Sequence, residues 1–134
     1  MNGPDAGAYR LFVRFSRPAW VRAGRRGRFR LEPGLYVYVG SARRALAARV
    51  ARHRRLATEK RGNRHWHIDG VLLHGWSRLV QAELHPGAEE CRLARDLAAA
   101  PSVTVPVPGF GATDCRAGCP AHLYRLEPGS PEPL

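Results

Sequence analysis

Within two residues, at Gly40–Ser41, the hydrophobic repeat of this chain changes from two to nearly four. Residues 35–40, LYVYVG, form an apolar run bounded by Pro33-Gly34 before and Gly40 after, which predicts a strand. Residues 42–56 are rich in Ala, Leu and Arg and predict a helix, with Ser41 as its cap. Leu46, Val50 and Ala57 make its inner stripe, and Arg43, Arg44, Arg52, Arg54 and Arg55 lie outward. A strand that runs straight into a helix must turn sharply, and Gly40 is expected to permit that turn. Arg49 and His53 then fall one helical turn apart on the same face.

The rest of the chain supplies partners for this strand. Residues 7–15 alternate, with Tyr9, Leu11, Val13 and Phe15 on one face and Arg10, Phe12 and Arg14 on the other, as in a half-buried strand. Residues 16–34 are a connection broken by Pro18, Gly24, Gly27 and Pro33, with a short strand near 28–31. Residues 59–65 are a polar break, and 65–75 a short helix or turn packing Trp66, Ile68, Val71 and Leu72. Residues 77–85 read as a strand ended by Pro86-Gly87. Residues 88–100 form a second clear helix with Leu93, Ala94 and Leu97 inward. Prolines limit any strand in 101–114 to a short or edge one. Residues 122–128 alternate again, as in an edge strand, and 129–134 read as a disordered tail. One domain over 1–128 is expected.

Charge narrows the function. The formal net charge is +11, and Lys60 is the single lysine, so the excess is carried by arginine. Guanidinium groups fork phosphate and stack on bases, so the balance points to nucleic acid. A GC-rich genome would explain arginine over lysine but not the excess of basic over acidic residues. No apolar run approaches the roughly 20 residues of a membrane span. The three cysteines and the absence of an apolar leader suggest a reducing interior, hence a cytoplasmic protein without a membrane partner.

Strand, Tyr-Val-Gly-Ser, then a helix bearing R-x-x-x-H is a specific order, and it resembles the core of the GIY-YIG nuclease superfamily. GAY at 7–9 stands at the family's first signature, YVG at 38–40 at its second, Arg49 and His53 at its helix motif, and Glu90 at its metal-binding glutamate. HWHID (65–69), ECRLA (90–94), GFG (109–111) and HL (122–123) are similar to the Uri-like branch, found alone or fused to endonuclease III-like proteins. The resemblance spans nearly the whole chain. It implies an α+β fold, a small and mostly antiparallel central sheet flanked by helices. The connection between the two signature strands is longer than usual, which suggests an extra strand or arm, and the family's late asparagine lacks an obvious counterpart.

The resemblance implies a metal-dependent endonuclease hydrolysing DNA phosphodiester bonds, structure-specific or acting in repair, with RNA as an alternative substrate and a monomer or homodimer as the working form. Tyr9, Tyr38, Arg49, His53 and Glu90 are its catalytic candidates. Glu90 offers a hard oxygen ligand to Mg²⁺ or Mn²⁺, Arg49 a fixed cation to phosphate, and His53 a proton acceptor or a partner for a tyrosine oxygen. A phenol with a pKa of ~10 serves as a base only if nearby cations lower it. Arg25, Arg26, Arg28, Ser41, Arg43, Arg44 and Arg52 are candidate substrate contacts, and His65 and His67 line the groove or buttress the site. Cys115, Cys119 and His122, with Cys91 as a candidate fourth ligand, have the donor set of a structural zinc site. Alternatively, Cys91 is simply a small buried helix residue. Two competing functions follow: a non-catalytic nucleic-acid-binding module of the same fold, and a zinc-stabilised interaction domain.

Overall fold

The computed structural model describes residues 5–22, 27–64, 66–110, 119 and 121–127. Its elements run β1 (Gly7–Phe15), β2 (Ala19–Arg22), β3 (Arg28–Leu31), β4 (Gly34–Ala42), α1 (Leu46–Glu59), α2 (His67–Leu72), β5 (Ser77–Pro86), α3 (Glu90–Ala98), β6 (Val103–Thr104) and β7 (Leu123–Leu126). The fold is α+β: a five-stranded sheet in the order β5-β1-β4-β7-β6, and a separate two-stranded sheet of β2 and β3. Every strand pair is antiparallel.

The two faces of the large sheet carry two apolar clusters. Tyr9, Leu11, Val13 and Phe15 of β1 pack with Leu46, Val50 and Leu56 of α1, with Ile68, Val71 and Leu72 of α2, and with Val21 and Leu31 of the β2–β3 hairpin. On the other face Phe12, Val37 and Val39 pack with Ala94 and Leu97 of α3. The sheet is therefore covered on both sides, and β1 is buried at every position but Arg14. This corrects the half-buried reading. Alternation in β1 separates two cores, and even Arg10 is covered, paired across the β1–β5 register with Glu83 at 2.6 Å.

Local signals misplaced four features. β4 continues through Ala42, so α1 begins at Leu46 rather than Ala42. Ser41 is a strand residue and does not cap α1. Asp5 does this from a distance, accepting the Ala45 N–H on Oδ2 at 2.9 Å and the Leu46 N–H on its carbonyl at 3.1 Å. Ala45, at φ 54°, makes the turn assigned to Gly40. β7 is an interior strand between β4 and β6; the edge is the two-residue β6.

The long connection forms two strands where the sequence suggested one. The hairpin leans on α2 so closely that a Cβ at Gly70 would lie 2.5 Å from the Arg22 carbonyl oxygen. Lys60 ends α1 in the left-handed conformation, at φ 57°, and its ammonium donates to the Leu72 and Ser77 carbonyls and the Ser77 hydroxyl at 2.7–2.8 Å, so the one lysine ties three elements together. Arg25, Arg26, His65, Cys115 and the tail 129–134 lie outside the described residues. Among the described residues, no helix is long and apolar enough to cross a membrane.

Candidate active site

Tyr9 and Gly40 oppose each other across β1 and β4. The Tyr9 ring lies over the glycine, where a Cβ would collide with Cζ and Oη. Gly40 is thus kept small to seat the phenol. Tyr38 stands on the same face, its ring 6.3 Å from that of Tyr9 and edge-on to Phe110 at 6.4 Å.

The α1 face presents the rest. His53 is fully buried, with Nε2 2.8 Å from Tyr9 Oη and Nδ1 3.9 Å from Asp69 Oδ1. Burial lowers its pKa from 6.5 to about 4, against the opposing pull of Asp69. The imidazole is therefore neutral at pH 7. A Tyr9 hydroxyl donating to Nε2 puts the ring proton on Nδ1, facing Asp69. Burial also raises the Tyr9 phenol, with Arg49 opposing and Glu90 adding to the rise. Tyr38 is raised for the same first reason, with Tyr9 and Glu90 next.

Asp69 is itself fully buried and needs a counter-charge. Arg52 supplies it with two hydrogen bonds, at 3.3 and 3.2 Å. Arg52 also donates to the Asn63 carbonyl at 3.0 Å, so it is half-buried and engaged rather than on the outward stripe. Trp66 forms a platform beneath both arginines, 4.6 Å from the Arg49 guanidinium and 4.9 Å from that of Arg52. Such stacking holds a cation in place without neutralising it.

Ser41 connects α1 to α3. Its carbonyl accepts from Arg49 at 2.6 Å, and its side chain lies beside Glu90, whose ionised form it favours. Burial raises the Glu90 pKa, while Ser41 and Arg49 oppose the rise. The other side of the Glu90 carboxylate meets His122 Nδ1 at 3.6 Å. A basic depression of about 340 Å³, lined by Ser41, Arg43, Arg44 and Arg49, opens beside these groups.

All five catalytic candidates are thus joined, directly or through Ser41 and Trp66, which lies 5.8 Å from the His53 ring. Of the proposed substrate contacts, Ser41, Arg43 and Arg44 border the depression. Arg28 stands on the hairpin, its guanidinium 5.5 Å from the Trp20 ring centroid. His67 faces Phe110 at 5.9 Å. Asp69 and Trp66 are the residues the sequence undervalued. An aspartate among Trp66, Ile68, Val71 and Leu72 was the available signal, because a buried carboxylate requires a partner.

Among the described residues, Glu90 belongs to no cluster of three metal-ligating side chains. A single, partly desolvated carboxylate beside a basic depression still fits a hard divalent ion that keeps waters and takes phosphate oxygens as further ligands. The pattern of a family described as Domain of unknown function DUF123 matches residues 8–132. No curated protein and no solved structure matches the chain.

Proposed function

The chain belongs to the DUF123 family, a GIY-YIG-like family, and we propose that it is a metal-dependent endonuclease that hydrolyses DNA phosphodiester bonds, of the Uri-like branch. The observation that carries this reading is the convergence on Ser41 of Arg49 and Glu90, next to the Tyr9–His53 hydrogen bond.

In the proposed reaction the DNA phosphate enters the depression between Arg43, Arg44 and Arg49. Arg49, fixed by the Ser41 carbonyl and the Trp66 face, meets the charge that grows on the phosphoryl oxygens. Glu90 would hold the divalent cation, which supplies Lewis-acid charge at the phosphate. Tyr9 Oη takes a proton from the attacking water as its own proton passes to His53 Nε2. Asp69 stabilises the imidazolium so formed. The water oxygen bonds to phosphorus, the bond to the ester oxygen breaks, and that oxygen takes a proton from solvent. The raised Tyr9 and lowered His53 pKa values keep this transfer from occurring before substrate arrives. A bound phosphodiester adds negative charge and makes protonation of His53 easier.

The test is cleavage of labelled single-stranded, duplex and branched DNA, and of RNA, in Mg²⁺ or Mn²⁺ against EDTA, with Glu90→Ala beside the wild type. Cutting that needs metal and is lost in the variant is expected. Tight, salt-sensitive binding with no cutting of any substrate would sink the nuclease and leave a nucleic-acid-binding module.

A further inference from the structure

We infer that Cys91, Cys119 and His122 form a zinc site on the α3 side of the sheet, with Glu90 as the carboxylate that orients the histidine. Their ligand atoms all lie within 4.8 Å of one another. His122 Nε2 is 3.9 Å from Cys91 Sγ. Zinc bonds of about 2.3 Å to sulfur and about 2.0 Å to nitrogen give a tetrahedral S···N edge of roughly 3.5 Å. The pair therefore closes onto an ion with a small side-chain movement.

The histidine is held in place before any ion arrives. The residue is 2% exposed, its backbone N–H donates to the Phe110 carbonyl at 2.8 Å, and its backbone carbonyl accepts from the Val39 N–H at 2.8 Å. Nδ1 faces Glu90 Oε2 at 3.6 Å, which leaves Nε2 for the sulfurs. A carboxylate behind the second ring nitrogen is the usual outer partner of a metal-bound histidine. Cys119 packs beside the Ala94 and Leu97 cluster, its Sγ 3.7 Å from the Cys91 carbonyl oxygen.

Two thiolates and an imidazole select zinc over the hard ions suited to Glu90. Binding replaces the two thiol protons with zinc and changes no oxidation state. The ion joins the first turn of α3 to the segment entering β7. It thereby holds Glu90 beside Ser41, so this consequence, unlike the site itself, rests on the proposed nuclease reading.

The experiment uses the whole chain, purified without chelator, and reads metal content and the absorption of the cobalt-substituted protein. About one zinc per chain is expected, with a thiolate-to-cobalt charge-transfer band and tetrahedral visible bands on Co²⁺ titration. Cys91→Ser and Cys119→Ser should each lose about half of the charge-transfer intensity, and Glu90→Gln should weaken zinc binding about 10- to 100-fold. Substoichiometric zinc in the wild type with no charge-transfer band overturns the site. So does a Cys91–Cys119 disulfide in protein prepared under reducing conditions. If the serine variants do not fold, zinc protection of wild-type thiols against alkylation decides the matter, and equal labelling with and without zinc overturns it. None of these readouts needs cleavage, so an inactive protein that binds zinc refutes the nuclease alone, and an active zinc-free one refutes this site alone.

Discussion

The Tyr9 hydroxyl and His53 Nε2 lie 2.8 Å apart, although the residues are 44 positions apart in the chain. The bond spans from β1 to α1 and is sealed on one side by Gly40 and on the other by Trp66. Its consequences can be measured.

Acid should weaken the fold through His53. The folded-state pKa is lowered from 6.5 to about 4, so the unfolded chain binds the extra proton between those values. This contribution to stability is complete above about pH 6.5 and is lost as pH falls to about 4, an effect of about 3 kcal/mol. Urea denaturation across this window should show a falling wild-type midpoint and a much flatter His53→Gln profile. Parallel profiles would contradict the buried neutral imidazole.

Gly40→Ala should displace the Tyr9 ring. Overpacking of this kind costs about 1–3 kcal/mol. Paired with Tyr9→Ala, the same substitution should cost much less, because the obstructing ring is gone. Thermal melts of the four proteins in the cycle give the coupling; simple additivity would mean the ring is not the obstacle.

Arg52→Ala leaves Asp69 charged, buried and without its guanidinium, a loss of about 3–5 kcal/mol. Asp69→Asn in that background should recover much of it. Chemical denaturation of both variants tests the pairing, and a surface-like loss in Arg52→Ala would show that Asp69 is neutralised elsewhere.

Arg49→Ala should lower the cleavage rate at least about 10²-fold, as expected for one lost transition-state donor. Far-UV circular dichroism should be unchanged. Arg49→Lys should restore little, because the planar group serves both the Ser41 carbonyl and the Trp66 face. A folded Arg49→Ala protein that cuts normally would show that the site lies elsewhere.

Local pattern was enough for the order of every element but β2, the two faces of β1 and the shared helical face of Arg49 and His53, because side-chain direction repeats every two residues in a strand and every 3.6 in a helix. The same periodicity missed where α1 starts. Ala45 turns the chain and Asp5 caps it, and a cap supplied from 40 positions away leaves no mark on the helix sequence. Gly40 stood out, but as a turn residue, since only the β1–β4 register places the Tyr9 ring above it.

The sequence by itself determined which groups this protein has for chemistry: phenols on strands, arginine and histidine at helical spacing, a glutamate opening a later helix. Tertiary structure alone decided how they are used. It gave Asp69 to Arg52 and His53, drew Glu90 between Ser41 and His122, and moved β7 from the edge to the interior. Each of these depends on which charge is buried beside which, and burial is a property of the packed sheet and helices rather than of any short stretch of chain.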